Sequence, residues 1–246
     1  MRRIISLGLT GILAVTLATS CYAASFDKTL QRWQKTQNFG DSGEQIEITA
    51  TYYAAEYIEA LAQKEAETNL WTADELEQYK YRLLTNLKLE DTIPVHIKFK
   101  VRGPSLHLAP FGEQIWLRIG GERYSPVEYD PRFNFKISDE RDGMIHFPRY
   151  DEKTGEDLLE GADTVKLEIS GSVSMAIKPH AVEFYWDVNK DDPSRFYTGE
   201  AGQRLERDRL INRLEKLNDK KSELEKELAD VTSEITQIEQ RLEELQ

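Results

Sequence analysis

Only one cysteine, Cys21, occurs in the 246 residues. No intrachain disulfide can therefore form, and any folded domain must be held by its core. Histidine is scarce as well: His96, His107, His146 and His180 are scattered, and no pair has the spacing of metal ligands on a helix. Beyond Ala18 no apolar run approaches the ~20 residues that a membrane-spanning helix needs. Basic charge is in the minority, 32 Lys and Arg against 44 Asp and Glu, which argues against nucleic acid or an anionic bilayer as a partner.

Catalytic motifs are missing too. Gly171-Ser172-Val173-Ser174 lacks the strand-turn-helix setting of a nucleophile elbow. No cysteine is there to serve instead, since Cys21 belongs to the N-terminal leader, and nothing in the sequence brings two carboxylates into one cleft. Asp187 to Asp191 opens like a calcium loop, but Asp192 stands where the sharp turn wants glycine and Thr198 where a bidentate glutamate belongs. The expectation is a protein without catalytic residues, cofactor or bound metal.

What is present begins with an export leader. Arg2 and Arg3 form a basic start, Ile4 to Ala18 an apolar stretch, and Cys21-Tyr22-Ala23 offers small side chains for cleavage after Ala23. Leu17-Ala18-Thr19-Ser20-Cys21 also loosely fits a bacterial lipoprotein box, which would make Cys21 an acylated first residue and give the protein its one route to a membrane. Removal of residues 1–23 takes two arginines and no acid, leaving 30 basic and 44 acidic side chains, net −14. Either version places the protein outside the cytoplasm, in a periplasm or at a cell surface.

After the leader the period changes along the chain. Residues 24–44 read as a short helix carrying Phe26, Leu30 and Trp33, followed by a loop at Asn38 to Gly43. From Glu44, Ile46, Ile48, Ala50 and Tyr52 alternate with polar residues as in a half-buried strand. Two helices follow at about 54–89. The second is marked by the capping box Thr72-Ala73-Asp74-Glu75 and by an apolar stripe of Leu76, Tyr79, Leu83 and Leu87. Ile93, Val95, Ile97, Phe99 and Val101 then alternate with His96, Lys98, Lys100 and Arg102. Ile115 to Ile119, Gly120-Gly121 and Glu122 to Tyr124 form a hairpin pattern, and Val165 to Val173 and Val182 to Val188 add further strands. Turn clusters at Asp139 to Gly143 and Lys153 to Gly155 separate them. The fold class expected is mainly β, an antiparallel immunoglobulin-like sandwich over 45–188 with an inserted helical pair, or else a small barrel. A linker at 189–203 leads to a C-terminal α-helical coiled coil over 204–246.

Two surface features stand out. The strand face His96, Lys98, Lys100 and Arg102 is a candidate anion or partner patch in an acidic chain; the plainer reading supplies acids opposite it from Glu47, Glu168, Glu183 and Asp187. Trp116 alternates with Ile115 and Leu117, so it is either an exposed platform for a sugar or protein, or a ring covered by the helix that carries Leu76 and Leu83.

The clearest pattern lies at the end. Written in heptads, Leu214, Lys221, Leu228, Ile235 and Leu242 fall at a, and Leu210, Leu217, Leu224, Val231, Ile238 and Leu245 at d. This stripe is narrow, as a coiled-coil seam is, and at ~1.5 Å per residue it runs about 54 Å, too far for either upstream helix to cover. Self-association through it is expected, as a parallel dimer, against the alternative of a helix folded back on the sandwich; Lys221 at a favours two strands, whereas Leu at a with Val231 and Ile238 at d favours more. Flanking charges are balanced for that orientation: Lys220 meets Glu225 favourably, and Glu234 meets Glu239 unfavourably. The expected function is a non-catalytic exported envelope protein, multimerised or tethered to another envelope protein by its coil. The alternative is a periplasmic ligand-binding or hydrolytic domain that is oligomeric.

Overall fold

The computed structural model describes residues 26–244 apart from 42, 44, 104, 152, 178–180, 193–194 and 196–198. Residues 1–23, expected as an export leader, and His180, Thr198 and Leu245 lie outside the described residues.

Among the described residues nine strands form two antiparallel sheets. The first has the order β1-β2-β3-β7-β6, from β1 (Gln34–Phe39), β2 (Gln45–Tyr52), β3 (Thr92–Arg102), β6 (Glu128–Tyr129) and β7 (Glu140–Pro148). The second has the order β5-β4-β8-β9, from β4 (Ile115–Ile119), β5 (Glu122–Tyr124), β8 (Thr164–Ile169) and β9 (Val182–Asp187). The alternation seen in the sequence decides which residues meet between them. Ile48, Ile97, Phe99 and Ile145 of one sheet share a single buried cluster with Leu117, Leu167 and Phe184 of the other. Gly120 and Gly121, at φ 59° and 95°, make the tight β4–β5 turn, a backbone that only glycine adopts at no cost.

Between β2 and β3 the chain inserts α2 (Ala55–Asn69) and α3 (Ala73–Leu87). The capping box at the start of α3 is complete: Glu75 N–H donates to Thr72 Oγ1, and the Glu75 carboxylate accepts from Thr72 N–H at 2.8 Å. The buried side of α3 is Lys80, Leu84 and Leu87, whereas Leu76, Tyr79 and Leu83 of the expected stripe are half-buried. A neighbour that the periodicity did not reveal causes this rotation. It is the root of the long helix α4 (Gly199–Glu244), whose Leu205 joins Ala55, Ile58, Leu84, Leu87 and Leu89 in a second buried cluster.

Three further expectations are corrected. Residues 24–44 do not end in a plain loop. A helix over residues 26–33 (α1) leads directly into β1, which pairs with β2 from Gln34↔Thr51 to Phe39↔Ile46. Lone-chain polarity hid this edge strand, because Gln34, Thr36 and Asn38 on its outer face are exposed and the half-buried face offers only Phe39 as an apolar side chain, beside Gln37. The second correction concerns Asp139 to Gly143, read as a turn. Glu140 to Gly143 are the first residues of β7, opposite Lys100 to Ile97. Acid–base pairing across the strands offsets their poor strand propensity, and Gly143 admits Phe133, whose ring carbons lie 3.2 Å from where a β-carbon would stand. Third, the helix at the C-terminal end starts at Gly199, inside the stretch expected as linker.

Candidate interaction surfaces

α4 has two faces with different fates. At its root, Ala201 and Leu205 are buried at 3% and 8% exposure. The free N–H of Ala201 donates to the Glu77 carboxylate at 2.9 Å, Tyr81 Oη donates to Asp208 at 2.9 Å, and the Arg204 guanidinium lies 4.7 Å from the Tyr81 ring centre. Glu77 thus places negative charge at the positive end of a helix dipole. It also flanks Lys80, a buried ammonium paired with Glu59 at 3.0 Å and Glu77 at 3.6 Å. In the heptad frame the docked residues Ala201, Leu205 and Asp208 occupy b and f, so at its start the a/d stripe points away from the sheets.

Beyond the root, every residue from Leu210 to Glu244 whose side chain is described is exposed. Leu210, Leu214, Leu217, Leu224, Leu228, Val231, Ile235, Ile238 and Leu242 retain between 51% and 67% of their accessible surface, and Lys221 at the one polar seam position makes only an i,i+4 contact with Glu225 at 3.7 Å. An apolar stripe of that length, broken only at Lys221, is the largest unpartnered feature among the described residues.

The basic strand face is less available than its sequence suggests. Lys98 pairs with Glu140 at 2.6 Å and His96 Nε2 lies 3.0 Å from Asp142. The Glu140 contact raises the Lys98 pKa. The neutralising acids therefore come from β7; of the four acids expected to do this, only Glu47, in register with Lys100, is on a neighbouring strand. Lys100 and Arg102 remain, beside a shallow depression of about 230 Å³ that also touches Asn38, Phe39 and Glu47.

Glu168 and Glu183 belong to the other sheet, where they organise its outer face. Glu168, 6% exposed, is contacted by Arg123, by Lys166 at 3.7 Å and by Arg118 Nε at 3.6 Å. Lys166 also reaches Glu183 at 2.6 Å, and this bond holds the Glu183 carboxyl below the usual range. The Arg123 guanidinium stacks 4.9 Å from the centre of the Trp116 ring. Trp116 is consequently half-covered by an arginine, not by the helix of Leu76 and Leu83, which packs on the opposite sheet. An open depression of about 510 Å³ adjoins it, lined by Glu168, Ser170, Ser172 and Ala181. Its polar groups largely satisfy one another: Ser172 Oγ donates to Gln114 and stands 2.7 Å from Ser170 Oγ, and among the described residues Arg118 Nε alone is buried without a hydrogen-bond partner.

One titratable group is set apart by burial. Asp191, the third ligand position of the would-be calcium loop, accepts a hydrogen bond from Ala55 N–H at the start of α2 at 2.7 Å, and burial pushes its carboxyl up to about 6. Since the folded pKa lies above the unfolded one, ionisation opposes folding, and stability falls as pH rises through the window from about 4 to 6. Asp191→Asn keeps the acceptor and removes the charge. Relative to the parent it is expected to gain about 2 kcal/mol between pH 4.5 and pH 7, read from urea unfolding at each pH. A gap that does not change with pH would contradict the assignment.

His146 is buried with Nδ1 3.0 Å from Thr92 Oγ1, and desolvation lowers its pKa. No cluster of three or more metal-ligating side chains and no helix long and apolar enough to cross a membrane occur among the described residues. No protein-family model, curated protein or solved structure matches the chain.

Proposed function

We propose that this is a non-catalytic exported envelope protein, in which an immunoglobulin-like β-sandwich serves as an interaction domain and α4 joins two copies through a coiled coil. The exposed apolar seam from Leu210 to Leu242 carries this reading. Burying the remaining surface of nine half-exposed aliphatic side chains on each of two chains amounts to roughly 20 kcal/mol of gross transfer energy. That exceeds the ~4–15 kcal/mol lost in bringing two molecules together. The immunoglobulin-like description is supported by strand order: β2-β3-β7-β6 follows the A-B-E-D arrangement and β5-β4-β8-β9 the C′-C-F-G arrangement of such sandwiches, with β1 as an added edge. Export is supported by the basic, apolar and small-residue pattern of residues 1–23.

Sedimentation equilibrium of the exported protein at tens of micromolar tests the assembly. A dimer is expected, and Leu224→Pro with Ile235→Pro should return it to monomer, since each proline removes a backbone donor and breaks the helix. A monomeric parent chain overturns self-association. Mass analysis of the same protein tests export: residues 1–23 should be absent, and an intact Met1 would refute the leader.

A further inference from the structure

We propose that the second copy of α4 lies antiparallel to the first, so that the dimer is a strut with one β domain at each end. The inference rests on the self-association proposed above and concerns its geometry. Charge along α4 is segregated by halves. Residues 204–221 carry seven Lys and Arg against four Asp and Glu, net +3, whereas residues 222–244 carry two against eight, net −6. A parallel pair sets each half beside its own copy, acid against acid for the whole distal half. An antiparallel pair sets the basic root of each helix beside the acidic tip of the other.

The seam itself makes the same choice. In parallel, Lys221 faces Lys221 of the second copy in one a layer, two ammonium groups forced together at the least solvated part of the rod. In the antiparallel register that pairs Leu210 with Leu242, Leu214 with Ile238, Leu217 with Ile235 and Leu224 with Leu228, Lys221 faces Val231. The two ammonium groups are then about 15 Å apart along the axis. Eight of the nine described apolar seam positions then face an apolar side chain of the second copy, and the ninth, Val231, faces Lys221. Flanking residues are mixed, as they are in parallel: Lys220 meets Glu234 of the second copy favourably and Arg213 meets Arg241 unfavourably. The half-by-half charge and the Lys221 layer are what separate the two orientations. The docked face of the root adds no obstacle, because Ala201, Leu205 and Asp208 lie on the side away from the seam.

Distances between spin labels decide the matter without touching the seam. Asn212 and Gln240 both occupy the outermost heptad position, and Cys21→Ser leaves each introduced thiol alone. Asn212→Cys and Gln240→Cys, singly labelled, should each give an inter-label distance of about 45 Å by pulsed dipolar spectroscopy, and an equal mixture of the two should add a distance near 25 Å. In a parallel dimer both single variants give the short distance and the mixture adds the long one. That result overturns the orientation while leaving self-association intact. Loss of all dipolar coupling together with monomeric sedimentation overturns the reading beneath it.

Discussion

Truncating Trp33 to alanine is expected to remove about 4 kcal/mol of folding stability and to lower Tm by roughly 10 °C. The indole is 1% exposed, its ring centre is 5.5 Å from that of Tyr52, and Nε1 donates to the Glu56 carboxylate at 2.5 Å. Its own carbonyl accepts the indole N–H of Trp186 at 2.7 Å, so α1, α2 and the second sheet converge on one residue. Urea unfolding of Trp33→Ala beside the parent measures the effect. A loss below 1 kcal/mol would show that this corner is peripheral. The same contacts predict that a chain confined to residues 45–188 melts broadly, because it lacks Trp33 and also the Asp191 carboxylate that caps α2.

That boundary shows where a single sequence stops being informative. The Ile93 to Val101 alternation and the Thr72 capping box are local: spacing of a few residues states both the element and its buried side, and the structure has them as read. β1 and the start of β7 are not local. Gln34 to Phe39 and Glu140 to Gly143 have little apolar content of their own and become strands because β2 and β3 present open edges and opposite charge. The Glu168 cluster was missed for the same reason. Arg118, Arg123, Lys166 and Glu168 come from three strands, and only the β4–β8 and β4–β5 registers bring them together. A glutamate between Leu167 and Ile169 at the end of a strand was the one available signal, and it reads as an ordinary outward residue. The apolar stripe along α4 was legible because its heptad spacing repeats within one helix. The docking of its root on α3 was not.

Removing the Glu168 carboxylate should be nearly as costly as losing Trp33. Glu168→Ala leaves Arg118, Arg123 and Lys166 facing one another around a buried position, with the Arg118 Nε already lacking a partner. Breaking a buried ionic cluster on one side costs about 3 kcal/mol when the remaining charges are partly exposed, as the two arginines are. Glu168→Gln, which keeps a hydrogen-bond acceptor, should lose less, and added salt should narrow the difference by screening the cations. Thermal unfolding of both variants at low and high ionic strength provides the readout. Equal stability of Glu168→Ala and the parent would mean that the cluster is held by the strands alone.

The helical pair between β2 and β3 bears on the order in which this chain can fold. Those two strands are neighbours in the sheet but are separated by the 39 residues from Tyr53 to Asp91. All but nine of these lie in α2 and α3. Once the capped α3 folds against α2, the strand ends are joined by a hairpin whose own ends are close, and the entropy of closing the loop approaches that of a nine-residue connection. The difference, (3/2)RT times the logarithm of the length ratio, is about 1 kcal/mol. It speeds the long-range pairing on which the first sheet depends. In a chain with no intrachain disulfide to hold early contacts, the helices act as a zip for the sheet, so that destabilising the Thr72 cap should slow refolding more than it speeds unfolding.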